Sequence, residues 1–231
     1  MDIFILNIET ATQICSVALS KGNEVLAVRQ SDEKNAHSKN INIFIEKVFS
    51  ASGVKAADLS AIAVSKGPGS YTGLRIGVSS AKALCYALDK PLISVGTLQS
   101  MALGMAITKQ EEALYCPMID ARRMEVYTAV YDAVNNMIKE VEAKIIDEHS
   151  FDDLLKEHKT WFFGDGAAKC QELLKNHPNA CFDKDFKPSA SYMANIALQK
   201  FHKKEFEDVA YFEPFYLKDF IAGKPRVKGL R

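Results

Sequence analysis

One order of elements, run through twice, constrains this chain more than any other feature of its 231 residues. Hydrophobic alternation predicts strands at 3–9, 14–20 and 25–30, the last two joined by the tight turn Lys21-Gly22-Asn23. An amphipathic helix follows, with Ile41, Phe44, Ile45, Val48 and Phe49 on one face and Gly53 at its end. Residues 60–64 are apolar on both faces, the pattern of a central parallel strand. A loop from Gly67 to Gly73 then leads into a helix over 72–88 and a short strand at 92–95. The second half starts again with strands at 113–120, 125–132 and 137–146, a helix at 151–158, a strand at 160–163, the loop Gly164-Asp165-Gly166 and a helix at 167–177. The seam falls near 100–112, and a last helix is predicted over 189–206.

Two tandem βββαβα units describe the duplicated ribonuclease H-like α/β fold of actin, hexokinase and the heat-shock ATPases. Residue identity between the halves is slight, but an acid closes the first strand of each (Glu9, Asp120). A Gly-x-Gly follows the single buried strand of each as well (Gly67 to Gly69, Gly164 to Gly166). The expected organisation is an N-terminal subdomain over 1–105, a C-terminal one over 106–215, and a basic tail over 216–231.

Members of this fold that handle phosphate place nucleotide between the halves, wrapped by the first hairpin of each. The positions to examine for nucleotide are therefore Glu9 and Thr10 in the first hairpin and Asp120 and Arg122 in the second. Neither turn carries a glycine, although tight ATP binders use one there so that backbone amides can approach phosphate closely. Each acid could hold a metal or a water, or simply cap its turn. Arg122 and Arg123 fit an anion or a solvated hairpin pair equally well.

The stretch Lys66-Gly67-Pro68-Gly69-Ser70-Tyr71-Thr72-Gly73-Leu74-Arg75-Ile76-Gly77 is the most unusual in the chain. It lacks the Gly-Lys-Ser/Thr ending of a P-loop and the flanking glycines of a nucleophile elbow. Its first reading is structural: Gly67, Gly69 and Gly73 turn the chain sharply, and Ser70 or Thr72 caps the helix. A helix start with free amides could also take an anion or a partner's carboxylate. The helix itself carries Leu74, Val78, Ala81, Cys85 and Leu88 at spacings of 4, 3, 4 and 3, with Gly77, Ser80 and Leu84 on a second face. Together with Ile41, Phe44 and Ile45 of the preceding helix, Leu74, Val78, Ala81 and Cys85 are expected to form a partner interface; core packing is the other reading.

No catalytic residue and no metal ligand is assigned. His37 has Ile41 four residues on, so no His-x-x-x-His pair exists there, and no His-Glu-x-x-His occurs. The five cysteines are scattered without a Cys-x-x-Cys and read as reduced thiols. The start of the chain has neither a basic region nor a long apolar run, which predicts a cytoplasmic protein with no membrane association. The 29 Lys+Arg balance 29 Asp+Glu, which argues against broad nucleic-acid binding by charge. That balance hides a mildly acidic body and a basic end, since Lys224, Arg226, Lys228 and Arg231 lie in the last eight residues with no acid among them. This tail suits contact with a polyanion or is a solvated terminus.

On these residues the chain resembles the TsaB (YeaZ) family of bacterial proteins in the tRNA threonylcarbamoyladenosine pathway. The resemblance is carried by Ile8-Glu9-Thr10, Ala36-His37-Ser38, the Gly67 to Gly77 motif, Asp120-Ala121-Arg122-Arg123-Met124-Glu125-Val126-Tyr127 and Pro214-Phe215-Tyr216-Leu217. It implies a non-catalytic subunit of the machinery that transfers threonylcarbamoyl to N6 of adenosine 37 in tRNAs reading codons that begin with A. It further implies a heterodimer with a TsaD-type catalytic subunit through the first two helices, joined by a TsaE-type ATPase. ATP and metal are then expected on those partners, tRNA is met only through the complex, and the isolated chain pairs with itself. Two other functions stay open at this level: a stand-alone ATP-dependent phosphotransferase or glycoprotease-like peptidase of the same fold, and a homodimeric regulator.

Overall fold

The computed structural model describes residues 2–33 and 37–218. Strands β1 (Phe4–Glu9), β2 (Cys15–Lys21), β3 (Glu24–Ser31), β4 (Ala61–Gly67) and β5 (Leu92–Gly96) form one sheet in the order β3-β2-β1-β4-β5. Strands β6 (Leu114–Asp120), β7 (Glu125–Tyr131), β8 (Met137–Ile145), β9 (Thr160–Phe163) and β10 (Ala180–Asp183) form the other, in the order β8-β7-β6-β9-β10. The two orders are the same, antiparallel through the meander and parallel beyond the first strand, so the fold is a duplicated ribonuclease H-like one. Gly67 and Gly164 mark the repeat in the backbone: both leave a buried parallel strand at positive φ, +113° and +96°, a region that residues with a Cβ avoid.

The helices are α1 (His37–Ser52), α2 (Tyr71–Leu88), α3 (Thr97–Lys109), α4 (Asp152–Leu155), α5 (Ala167–Leu174) and α6 (Ala194–Lys203). Each unit thus ends with a strand and a further helix that βββαβα does not contain. Helix α3 stands where the seam was expected. It is packed from more than one side, so its apolar residues form no stripe, and Gly104 at its middle lies so close to Tyr192 that a Cβ would meet the ring at 2.4 Å. Strand β10 has four half-buried residues, too few to show a period. Helix α4 is a single turn, and α6 is preceded by the 3-10 turn Ala190–Met193, both shorter than the periodicity suggested.

The last helices are exchanged between the halves. Leu98, Met101, Ala102 and Met105 of α3 pack on Tyr115, Ile119, Ala129 and Phe163 of the second sheet. In return Met193, Ile196 and Ala197 pack on Ile5, Ala18, Ala63 and Ile93 of the first, with the Ala190 amide donating to Ser16 Oγ at 3.0 Å. A boundary at 105 therefore falls inside α3, and neither 1–105 nor 106–215 holds all of its own core.

Helices α1 and α2 cover the opposite face of the first sheet. Ile41, Phe44, Ile45, Val78, Ala81 and Cys85 join Leu6, Ile8, Val17, Leu19, Ile62 and Val64 in one cluster. Leu74 is 1% exposed against Gly67. This corrects the expected interface: all seven residues are the chain's own core. A 4-3-4-3 seam is what a helix lying on its own sheet shows, and it does not separate a sheet from a partner. Gly77 likewise faces the β1–β2 turn instead of another helix.

After α6 the chain returns as an extended strap. Glu207 bridges Leu92, the Lys82 ammonium donates to the carbonyls of Ala210 and Phe212, and the Phe215 amide donates to Lys66 O at 2.7 Å. Lys218 then reaches Glu125 in the second half. Of the expected tail only 216–218 are described; the basic residues Lys224, Arg226, Lys228 and Arg231 lie outside the described residues. The five cysteines are free, and no helix of the described residues is long and apolar enough to cross a membrane.

Candidate functional site

A cleft of about 440 Å³ opens between the halves, with the β1–β2 turn on one wall and the β6–β7 turn on the other. Ser70 begins the helix on the first wall: its Oγ accepts the Gly73 amide at 3.3 Å and caps α2, while Thr72 is exposed to the cleft. Glycines one turn apart bring this helix onto the β1–β2 turn. A Cβ on Gly69 would meet Ala11 O at 2.2 Å, one on Gly73 would meet Thr10 O at 2.1 Å, and one on Gly77 would meet Thr10 Oγ1 at 2.2 Å. The glycine motif is thus an instrument of close packing, and the Ser70 amide completes it by donating to Ala11 O at 2.6 Å.

Pressed in this way, the first turn is buried and serves itself. The Thr10 amide donates to Ser65 Oγ at 3.3 Å, the Ala11 amide to Glu9 Oε1 at 2.6 Å and the Ile14 amide to Thr12 Oγ1 at 3.2 Å. Glu9 and Thr10 are fully buried beneath the cleft, and Glu9 Oε2 and Thr10 Oγ1 find no hydrogen-bond partner among the described residues. Burial pushes the Glu9 carboxyl up to about 7 against the opposing pull of the Ala11 amide, so at neutral pH it is poised between its two forms.

The second turn is exposed and polar. The Asp120 amide donates to Asp165 Oδ1 at 3.0 Å, the Arg122 amide to Asp120 Oδ1 at 2.9 Å, and the Ala121 amide to Glu125 O at 3.1 Å. Lys169 ion-pairs with Asp120 and donates to Glu125 O at 2.6 Å. Partial burial works to raise Asp120, but the Lys169 ammonium and the Arg122 amide outweigh it and hold the carboxyl low. Arg122 and Arg123 both sit at positive φ, +73° and +52°, in the four-residue loop between the strands, where the Glu125 amide returns to Arg122 O at 3.2 Å.

Of the four positions proposed for nucleotide, the structure brings Asp120 and Arg122 to the cleft and sets Glu9 and Thr10 under its floor. A phosphate entering here would have to displace Glu9, Ser65 and Thr12 from the first turn's amides and Asp120 and Asp165 from the second's. Sequence reasoning missed the strap that forms one side of the cleft with Phe215, Tyr216 and Lys218, and it missed Tyr127 and Lys169. The run Pro214-Phe215-Tyr216-Leu217 was the available signal. Tyr216 rests on Tyr71 with ring centroids 5.1 Å apart, and Arg75 stacks over Tyr71 at 4.9 Å. Among the described residues no group of three or more His, Cys, Asp or Glu could hold a metal; His37 instead lies with Nε2 2.9 Å from Thr12 O.

Sheet order and cleft together define a member of the actin-like, duplicated ribonuclease H-like class. A family model described as "TsaD: tRNA N6-adenosine threonylcarbamoyltransferase" matches residues 31–225. The "tRNA threonylcarbamoyladenosine biosynthesis protein TsaB" of Escherichia coli is 34% identical over 225 residues, which cover 95% of this chain and 96% of that protein. The chain belongs to the TsaB family. In fold it is similar to a solved Pseudomonas aeruginosa protein "with similarity to peptidase YEAZ", with a TM-score of 0.82 at 24% identity over 94% of this chain and 100% of that one. At the level of fold alone it also matches the activator of the 2-hydroxyisocaproyl-CoA dehydratase from Clostridium difficile, with a TM-score of 0.52 at 10% identity, covering 89% and 96% of the two chains.

Proposed function

We propose that this chain works in tRNA threonylcarbamoyladenosine biosynthesis as a subunit without chemistry of its own, activating a TsaD-type catalytic relative by binding it. The role in this pathway is supported by the name of the Escherichia coli relative. The observation that carries the non-catalytic part is the hydrogen bonding of the two turns. Amides that would cradle phosphate in an ATP-using member of the fold are engaged by the chain's own Ser65, Glu9, Thr12, Asp165 and Asp120. ATP and metal then reside on the TsaD-type and TsaE-type subunits, and tRNA is met through the complex.

If α1 and α2 form the contact, their outward edge has to do so, because the inward residues are core. That edge has Ile43 at 40% and Tyr86 at 87% exposure, beside a groove of about 570 Å³ lined by Ser38, Asn42, Arg75 and Ser79. The same edge would serve self-association of the isolated chain. Ser79→Trp, on the exposed side of α2, is expected to abolish co-elution with the catalytic subunit and tRNA modification while leaving the melting temperature unchanged. Full modification by this variant would overturn the assignment of the face. Calorimetry of the isolated chain with ATP and magnesium should give no heat of binding; micromolar binding lost in Glu9→Ala would favour a phosphotransferase instead.

A further inference from the structure

We propose that a second cavity between the halves, of about 260 Å³ behind Phe215, binds a small organic anion: a carboxylate carried on a short apolar chain. Its walls are apolar, with Leu98 of α3, Tyr131, Met137 and Val141 of the β7–β8 hairpin, and Phe215 of the strap. Into this lining come two cations, Lys66 at the end of β4 and Lys200 of α6. Lys66 forms no ion pair with another described residue, and the carboxylate near Lys200, that of Glu205, is 3.9 Å away. Glu207, also nearby, is engaged by the Ser94 hydroxyl at 2.5 Å. Burial, and after it the proximity of Lys66, holds the Lys200 ammonium below its ordinary range.

The remaining polar element has the same sign. Helix α3, 13 residues long, starts at this cavity after Gly96, which offers no side-chain cap, and Gly96 and Gln99 are part of the lining. Two ammonium groups and an uncapped helix start converge where the surrounding side chains are oily. One carboxylate would answer both cations and the helix end, and an aliphatic tail would lie against Tyr131, Met137 and Val141. A free phosphate would set two charges against apolar walls. This site is independent of the function proposed above; its one link to the interdomain cleft is Phe215, which lines both.

The test is a titration of the full chain, labelled at methionine methyls, with hexanoate, hexanol and inorganic phosphate, following the Met137 signal assigned through Met137→Leu. Hexanoate should give a saturable shift, and Lys66→Met and Lys200→Met should each weaken it by at least about tenfold, or 1.4 kcal/mol. Hexanol and phosphate should bind far more weakly. Val141→Trp, which fills the cavity without touching either lysine, should abolish the shift, and a thermal melt of each variant reports whether it is folded. No saturable shift with hexanoate, equal binding of phosphate, or unchanged affinity in the Lys66→Met/Lys200→Met pair would each overturn the proposal.

Discussion

The β1–β2 turn and the β6–β7 turn hold the same place in their sheets, yet their acids have opposite surroundings. Glu9 is fully buried with one oxygen unpaired, whereas Asp120 is exposed and paired with Lys169. The cause lies in the helix that follows each buried strand. Helix α2, 18 residues long, and the loop before it hold Gly69, Gly73 and Gly77 so close to the first turn that a Cβ on any of them would lie 2.1–2.2 Å from its atoms. Helix α5 has eight residues, and a Cβ on Gly166 would stand farther off, 2.9 Å from the Val126 side chain and 3.0–3.1 Å from the backbone of Ile119 and Asp120. Duplication supplied two equivalent turns, and helix packing made one of them core while the other stayed surface.

That contrast can be broken most directly at its glycines. Gly69→Ala forces a Cβ to 2.2 Å from the Ala11 carbonyl oxygen and should cost more than about 4 kcal/mol, whereas Gly166→Ala, the equivalent change in the second half, should cost about 1–2 kcal/mol. Urea denaturation of the two variants measures both, and equal costs would remove the asymmetry.

The second effect is one of pH. Burial raises Glu9 from 4.5 to about 7, so between those values the folded chain keeps a proton that the unfolded chain has released. Its contribution to stability is complete below about pH 4.5 and is lost as pH rises through about 7. Glu9→Gln removes the titration: its stability relative to the parent should be unchanged near pH 4.5 and should rise by on the order of 3 kcal/mol by about pH 8. A flat difference across that range would show that the carboxyl is not held in this way. The smallest effect is at the exposed turn, where Arg123→Gly relieves a left-handed residue and should stabilise by about 1 kcal/mol, read as a rise in melting temperature.

The duplication was legible because strands in an α/β fold announce themselves by alternation and by buried β-branched runs, and Gly67 and Gly164 occupy equivalent backbone positions in the two halves. A cap at Ser70 or Thr72 could be read from the sequence, and the structure gives it to Ser70. Helix α3 was not legible, since surfaces on several sides erase the stripe on which periodicity depends. Nor was the direction of α1 and α2, because Val78 and Ala81 look alike whether they meet a sheet or a partner. The cleft was half visible: Asp120 and Arg122 line it, and both were singled out from their hairpin, while Lys169 and the strap lie 49 and about 95 residues beyond Asp120 in sequence, and no local pattern joins them.

By itself the sequence determined the two-fold repeat, the glycine motif and the pair of strand-ending acids, because these depend on residues close together in the chain. Only the tertiary structure decided that the last helices are exchanged between the halves, that Glu9 is buried while Asp120 is not, and that two lysines face one oily cavity. Each of those outcomes depends on which surfaces meet across long stretches of sequence, and burial is a property of the assembled surfaces.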